Sequence, residues 1–167
     1  MIVVVCIVMI LAAAAITGSA GILRNLRFGN AFNKIVLMVQ SARGLAVTGK
    51  NSYDTPITSY DVRFNLSASQ SVDIFANGPN VVVETYTIEA TTGLQIFANE
   101  LENAAAPTPC SGLDPAAVLS FAQNSAALTL TCGGTPRPLM QFGIQEGAGG
   151  TSKTFLIHQA AGIPQVQ

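Results

Sequence analysis

An unbroken apolar run at the N-terminus constrains this chain more than any other feature. From Ile2 to Ile16 all fifteen residues are apolar, and no charged residue appears before Arg24. A helix from Met1 to Leu23 would rise about 34 Å, enough to cross a hydrocarbon core of about 30 Å. The segment therefore predicts a helix that is held in lipid or among other helices.

Charge is divided unevenly along the sequence. The first 53 residues contain five basic side chains and no acid, whereas all nine Asp and Glu lie from Asp54 onward. The five basic residues are spread among apolar positions, a spacing typical of a solvated helix face and not of a nucleic-acid patch. We therefore expect a basic stem and an acidic head, with no nucleic-acid partner.

The segment after the apolar run keeps a helical rhythm. Apolar side chains recur at steps of three and four, which predicts an amphipathic helix whose one face packs on the head. Thr48 and Gly49 supply a stop signal. Gly18, Gly21 and Gly29 predict either a bend or close helix packing. The predicted packing residues are Phe28, Phe32, Ile35, Val39, Ala42 and Ala46.

The period changes from helical to alternating after Ser52, which predicts strands. The only further helix predicted is 116–121, because Asp114 and Pro115 match an N-cap and a first helical position. We expect 102–114 to be a surface connection. The predicted strands cover 62–66, 72–74, 81–88, 94–97, 127–132, 139–144 and 153–158, with a turn at 77–80.

Three cysteines have different expected roles. Cys6 lies in the apolar run, where a thiol behaves as a small hydrophobic group. Cys110 and Cys132 form a candidate disulfide if the head is exported to an oxidising compartment. Two cysteines and one distant histidine are too few to predict a zinc site.

No residue pattern predicts catalysis. His158 is the single histidine and is expected on an edge strand in a structural or surface role. Acid pairs at Glu100 and Glu102, or at Asp54 and Asp61, are expected on solvated faces because nothing places them in a cleft. We therefore predict no catalytic, cofactor-binding or metal-binding residues, no cofactor and no small-molecule substrate.

Three interpretations of the first 21 residues remain open. A cleaved secretory signal fits the apolar length and the small residues Gly18 and Ala20, with a cut near Gly21, but it lacks a basic start. A signal anchor and an uncleaved filament helix fit the same run.

The run MIVVVCIVMILAAAAI, continuing into FNKIVLMVQSARGLAVTGKN, resembles type IV pilins and type II secretion pseudopilins, in particular the GspH/FimT-like branch. YDVRFNLSASQSVDIFAN and VVVETYTIEATTGLQIF are similar to the first strands of such heads. The pair Ala42 and Arg43 matches a pair late in the family's helix. The family's basic leader, its processing-site Gly and its Phe-Thr-x-x-Glu start have no counterpart. We therefore expect either that the natural chain begins upstream of Met1 or that the protein is divergent and is not cut by the processing peptidase.

The resemblance implies an α+β fold, with a long N-terminal helix packed on a mainly antiparallel, pilin-like sheet head. Its expected parts are a membrane-spanning or filament-core half-helix at 1–21, an amphipathic half-helix at 22–50 and a β-rich head at 51–167. The implied function is a structural subunit of a type IV pilus or type II secretion-like filament, held in the inner membrane by one span with its head outside. Expected partners are other pilin-like subunits and the membrane. The alternative is a secreted or membrane-tethered β-rich binding module.

Overall fold

The computed structural model describes residues 2–49, 54–67, 69–101, 106–110, 115–125, 127–147, 150–161 and 163–166, of which 2–20 and Ala90 are described without their side chains. One α-helix, α1, runs from Ile2 to Thr48 without interruption. The helix is therefore not interrupted at Gly18, Gly21 or Gly29, the positions where the sequence allowed a bend. The helix ends at the predicted stop, where Gly49 has φ of 61°, a left-handed conformation that glycine adopts without strain.

Strands make up most of the rest of the described chain. A short 3-10 turn at Ala90–Thr92 lies between two of them. The strands are β1 (Ser59–Asn65), β2 (Ser71–Asn77), β3 (Val81–Thr87), β4 (Leu94–Glu100), β5 (Thr108–Pro109), β6 (Ala117–Ala122), β7 (Leu128–Cys132), β8 (Thr135–Pro136), β9 (Leu139–Glu146), β10 (Ser152–His158) and β11 (Gln165–Val166).

These strands form two sheets. Sheet A has the order β3-β2-β1-β6-β7-β8, and sheet B has the order β11-β10-β9-β4-β5. Every strand pair is antiparallel. The chain crosses from sheet A to sheet B at β4. This strand does not pair with the preceding β3. It pairs along its length with β9, from Leu94 opposite Glu146 to Glu100 opposite Met140.

The predicted fold class was wrong. In place of a helix on a pilin-like sheet head, the described residues form a sheet-dominated fold with two antiparallel sheets and a single N-terminal helix; only a loose α+β description still applies. Hydrophobic periodicity indicates which residues of a strand face a core, but it does not indicate which strands pair with one another. The sequence therefore predicted individual strands without dividing them between two sheets.

The helix predicted at 116–121 was also wrong, because this segment is β6. Its residues alternate between buried and half-buried, with Ala117, Leu119 and Phe121 facing the core. β6 lies between β1 and β7 and pairs with both. Hydrogen bonding to both neighbouring strands outweighs the helix-start signal given by a proline, because tertiary contacts override local helix propensity.

The two sheets share one hydrophobic core. The Phe64 ring on β1 stacks on the Phe142 ring on β9 with centroids 4.6 Å apart, and Phe142 in turn stacks on Phe155 of β10 at 5.6 Å. Since Phe64 belongs to sheet A and the other two to sheet B, this aromatic row holds the inner faces of the sheets together. Such ring pairs add about 0.5–1.5 kcal/mol each beyond the area they bury.

A disulfide joins Cys110 to Cys132, the pair that the sequence singles out. Cys110 follows β5 at one edge of sheet B, and Cys132 ends β7 in sheet A, so the bond links the two sheets. The connection expected at 102–114 is therefore not wholly on the surface, because it contains β5 and the buried Cys110. Residues 102–105 and 111–114 lie outside the described residues.

Candidate assembly surface on the N-terminal helix

One face of α1 is buried against the head. All six residues that the helical spacing selects (Phe28, Phe32, Ile35, Val39, Ala42 and Ala46) are at most 4% exposed. Ala31 and Met38 share this face, and sequence reasoning missed them because they fall at the margin of the apolar stripe. The Phe32 ring meets the Phe155 ring edge to face at 5.9 Å, which joins the helix to the aromatic row between the sheets.

Basic side chains of the helix tie its margins to the sheets. Arg24 Nε donates to Glu146 Oε1 of β9 at 2.8 Å, and the Lys34 ammonium pairs with Glu84 of β3. From the head, Lys153 Nζ lies 5.7 Å from the centre of the Phe28 ring. Pairs as exposed as these contribute at most about 1 kcal/mol each, so they fix where the helix lies more than how strongly it is held.

Tyr86 of β3 lies beside this margin of the helix. Burial raises the pKa of its phenol above the usual value of 10.0, and the positive charge of Lys34 opposes that shift. The raised pKa means that the neutral phenol is the form suited to this position.

The C-terminal end of α1 is capped by a turn of sheet A. The Asn124 backbone N–H donates to the Ala46 carbonyl at 2.9 Å, and Gln123 Nε2 donates to the Gly49 carbonyl at 3.4 Å. The Thr48 hydroxyl donates back to the Gly44 carbonyl at 2.9 Å. Because the last four carbonyls of a helix have no partner within it, the bond to Ala46 satisfies a group that would otherwise need water.

The opposite side of the helix exposes large apolar side chains. Five of them, Ile22, Leu23, Leu26, Leu37 and Val47, are between 54% and 62% exposed. Ile22 and Leu26 lie one turn apart, and Leu37 lies eleven residues, about three turns, beyond Leu26 on the same side. We call these five residues the outer stripe. Exposed Asn30 and Asn33 lie between Leu26 and Leu37 on this side, so the outer stripe is interrupted. Isolated exposed apolar residues are ordinary, but five large ones on one side of a helix indicate a contact surface.

Grooves flank the helix on both sides, and two of them bear on its contacts. One has a volume of about 410 Å³ and lies between α1 and the end of β3; Arg27, Lys34 and Tyr86 are among its lining residues. The other has a volume of about 460 Å³ and lies between α1 and the C-terminal segment, with Arg43 and Ile163 in its walls. The first groove is bridged by the Lys34–Glu84 pair, so the helix is in contact with the head on this side.

A polar network on the outward face of sheet A was not predicted. Asp61, which the sequence placed on a solvated face, is only 7% exposed. Its carboxylate accepts hydrogen bonds from the Ser120 hydroxyl at 2.6 Å, from Asn77 Nδ2 at 2.6 Å and from the Ser59 hydroxyl at 3.2 Å. The donors come from β1, β2 and β6, and only the strand pairing brings them together.

The other candidate chemical groups are dispersed. Glu100 pairs with Arg137 at 2.7 Å, Asp54 is exposed, and Glu102 lies outside the described residues. His158 is exposed at the end of β10, which is not an edge strand as predicted, because β11 pairs beside it. Among the residues that the structure describes, no group of three or more His, Cys, Asp or Glu is arranged to hold a metal ion.

The predicted membrane-spanning half-helix at 1–21 falls almost entirely on residues whose side chains are not described. Within the part of the chain searched, no helix combines the length and hydropathy of a membrane span.

Comparison with protein-family models, with curated proteins and with solved structures finds no match to this chain.

Proposed function

We propose that this chain is a structural subunit of a filament of the type IV pilus or type II secretion kind, held in the inner membrane by its N-terminal helix before assembly, with its head outside the cytoplasm. One observation carries the proposal. One side of α1 is packed against the head, and the opposite side carries the outer stripe. A subunit of this form presents a helix surface to its neighbours while the sheets face outward.

The length of the helix supports the same function. α1 begins at Ile2, and Arg24 is the first of its residues with a described bond to the head. The 22 helical residues before Arg24 rise about 33 Å. The apolar composition of this segment suits lipid before assembly and neighbouring helices afterwards, since both exclude water.

The outer stripe adds separate apolar side chains along the half of the helix that the head covers. A leucine side chain transferred from water into a packed contact gains about 1.5–3 kcal/mol, so three or four such residues per subunit give a substantial driving force when repeated along a filament. Arg24 and Lys34 are paired with acids of the head, which partly neutralises their charges. Arg27 is exposed one turn after Leu23, and Arg43 lies one turn before Val47, so these two charges would lie at the border of the contact.

Site-specific photo-crosslinking tests the proposal in cells that express the full chain. A photoreactive amino acid is placed at Leu26 or Leu37 of the outer stripe. The control position is Thr129, which is exposed on β7 of the head and is not part of the outer stripe. We expect positions 26 and 37 to crosslink to another helix-bearing subunit and position 129 to give no such product. Leu26→Lys should suppress the crosslink from position 37, because a lysine ammonium is costly to bury at a helix contact.

Two results would refute the proposal. Crosslinks from positions 26 and 37 to lipid alone would leave the outer stripe without a protein neighbour. A mature protein whose mass shows that it begins at Gly21 would lack the apolar half of the helix and would support the secreted binding module instead.

A further inference from the structure

Three basic side chains follow the apolar half of α1 on one side of the helix. Arg27 and Lys34 are seven residues apart, close to two full turns, and Arg24 lies one turn before Arg27. Arg24 is paired with Glu146, and Lys34 is paired with Glu84. Arg27 is exposed, and none of the described acids pairs with it. Of these three cations, Arg27 is therefore the one whose charge the head does not neutralise.

Arg27 lies in the wall of a further groove, between α1 and the turn that precedes β4. We call it the Arg27 groove; it has a volume of about 360 Å³ and is lined by Leu23, Arg24, Arg27, Thr91, Thr92 and Leu94. Small-molecule sites commonly have volumes of about 300–1,000 Å³. The lining combines two guanidinium groups and two hydroxyls with apolar leucine side chains. The Arg27 groove therefore suits a ligand that is anionic at one end and apolar at the other.

The acid closest in sequence to this turn lies outside the Arg27 groove. Glu89 lines the neighbouring, larger groove beside Lys34 but does not line the Arg27 groove. The Thr91 hydroxyl donates to Glu89 Oε2 at 3.4 Å, and the Thr92 hydroxyl donates to the Glu89 carbonyl at 2.7 Å. Among the described residues, no acid lines the Arg27 groove. An anion there would meet guanidinium groups without a carboxylate in the same wall.

The Arg27 groove lies at the depth of lipid headgroups in the membrane-held subunit proposed above. The helix from Ile2 to Leu23 rises about 33 Å, against about 30 Å for a hydrocarbon core, and the headgroup layer adds about 5–8 Å on each side. Arg27 is four residues, about 6 Å, beyond Leu23, which places it in that layer. Lys34 is about 17 Å beyond Leu23 and lies past the layer, where its charge is already paired. The unpaired charge is thus the one at the level of the lipid phosphates.

An anionic phospholipid matches this groove better than an acidic side chain does. The guanidinium of Arg27 presents paired N–H groups that match two oxygens of a phosphate. The exposed Thr91 hydroxyl lies in the same wall and can donate to the headgroup. Leu23, on the membrane side of Arg27, offers an apolar contact to the glycerol and to the start of an acyl chain. A carboxylate from another subunit would use the guanidinium but would leave this apolar side of the groove uncovered.

We propose that the Arg27 groove binds the headgroup of an anionic phospholipid while the subunit is held in the membrane. This inference rests on the membrane anchoring in the proposed function and adds a specific lipid partner to it. Basic pockets beside membrane-spanning helices bind anionic headgroups in this way. A bound lipid fixes both the depth and the rotation of α1, so that the outer stripe is presented to neighbouring subunits in one orientation.

Native mass spectrometry of the full chain in mild detergent tests the site. The protein is titrated with phosphatidylglycerol, and in parallel with phosphatidylcholine that has the same acyl chains. We expect one phosphatidylglycerol molecule to be retained at concentrations at which phosphatidylcholine is not. Inorganic phosphate should not displace it, because free phosphate makes no contact with the apolar side of the groove.

Three variants test which residues bind the headgroup. Arg27→Gln should raise the phosphatidylglycerol concentration for half-saturation about fivefold, the ratio that corresponds to about 1 kcal/mol for one basic residue near an anionic surface. Thr91→Glu places a carboxylate in the groove and should weaken binding at least as much. Arg43→Gln is the matched control, because Arg43 lines the groove beside Ile163, about 24 Å further along the helix, and it should leave binding unchanged. Arg27 and Thr91 are exposed, so the thermal unfolding of their variants should match that of the parent.

Three results of these titrations would overturn the inference. Equal retention of the two lipids would show that the headgroup is not recognised. Equal weakening by Arg27→Gln and Arg43→Gln would show that binding depends on the net charge of the protein and not on this groove. Displacement of phosphatidylglycerol by inorganic phosphate would show an anion site without a lipid.

Photo-crosslinking in cells separates this inference from the proposed function. A photoreactive amino acid at position 91 should crosslink to phospholipid, and a crosslink to another subunit in its place would overturn the inference in favour of an acidic protein partner. Subunit crosslinks from Leu26 without a preference for phosphatidylglycerol would overturn the lipid site and leave the filament function standing. Preferential retention of phosphatidylglycerol that depends on Arg27, without subunit crosslinks from Leu26, would support the lipid site and refute the filament.

Discussion

Replacing Phe142 tests whether the aromatic row between the sheets holds the head together. Phe142 is completely buried, and its ring stacks on Phe64 at 4.6 Å and on Phe155 at 5.6 Å. Phe142→Ala removes the ring from both stacks and leaves a cavity where the two sheets meet. Buried Phe→Ala changes cost about 3–5 kcal/mol, and the loss of two ring pairs places this one at the upper end of that range.

A loss of about 4–5 kcal/mol is a large part of the 5–15 kcal/mol by which a domain is stable. At about 2–4 °C per kcal/mol for a chain of this size, the midpoint of thermal unfolding should fall by about 8–20 °C. Far-ultraviolet circular dichroism of the full chain in mild detergent, during heating and in urea, measures both quantities.

Phe97→Ala is the matched control for this measurement. Phe97 is on β4 opposite Gly143, the neighbour of Phe142, but it is only half-buried and lies outside the core cluster. It should cost no more than about 1–2 kcal/mol, because less apolar area returns to water. If Phe142→Ala destabilised the protein no more than Phe97→Ala does, the argument that this row joins the sheets would be refuted.

Four further variants have distinct expected effects. Replacing Cys110 and Cys132 together by serine should cost about 3 kcal/mol in urea unfolding, an effect that reductant should reproduce in the parent protein. Gly143→Val should destabilise the head, because a Cβ there would lie 2.4 Å from a backbone oxygen of the neighbouring strand, whereas Gly44→Ala meets nothing within 4 Å and should stabilise the helix by about 0.5–1 kcal/mol. Because the pKa of Tyr86 is raised in the folded state, its contribution to stability is fully present below pH 10 and is lost as the pH rises through the folded-state pKa. When the unfolding free energy is measured against pH, it should therefore fall more steeply in the parent than in Tyr86→Phe. The disulfide argument would be contradicted if the double serine variant were as stable as the parent. The Gly143 argument would be contradicted if Gly143→Val left the unfolding free energy unchanged, and the Tyr86 argument if the unfolding free energies of parent and Tyr86→Phe changed equally with pH.

The helix and its packed face were accessible from the sequence because both depend on local periodicity. The steps of three and four from Phe28 to Ala46 select residues that are buried, and the Gly49 signal marks the end of the helix. An apolar stripe on a helix needs a partner surface, but its position does not depend on what that partner is. Local pattern therefore predicted the face of the helix that packs on the head, but not the outer stripe.

The division into two sheets was not accessible, because it depends on contacts between residues distant in sequence. β1 pairs with β6, whose residues lie more than 50 positions later, and that pairing makes a strand of a segment that reads locally as a helix. The buried position of Asp61 has the same origin, since Ser120 reaches it only through this ladder. Alternating patterns identify a strand face but leave its neighbours open.

The attachment of α1 at both ends determines how the molecule bears mechanical load. Near its first contact the helix is bonded to sheet B through Arg24 and Glu146, and at its last turn it is bonded to sheet A through Ala46 and Asn124. Between Phe28 and Ala46 its buried side chains span about 27 Å. Tension along the axis of α1 therefore loads all of these contacts in shear at the same time, so they do not break one after another. A pull on the apolar end is shared between both sheets before any single strand has to separate.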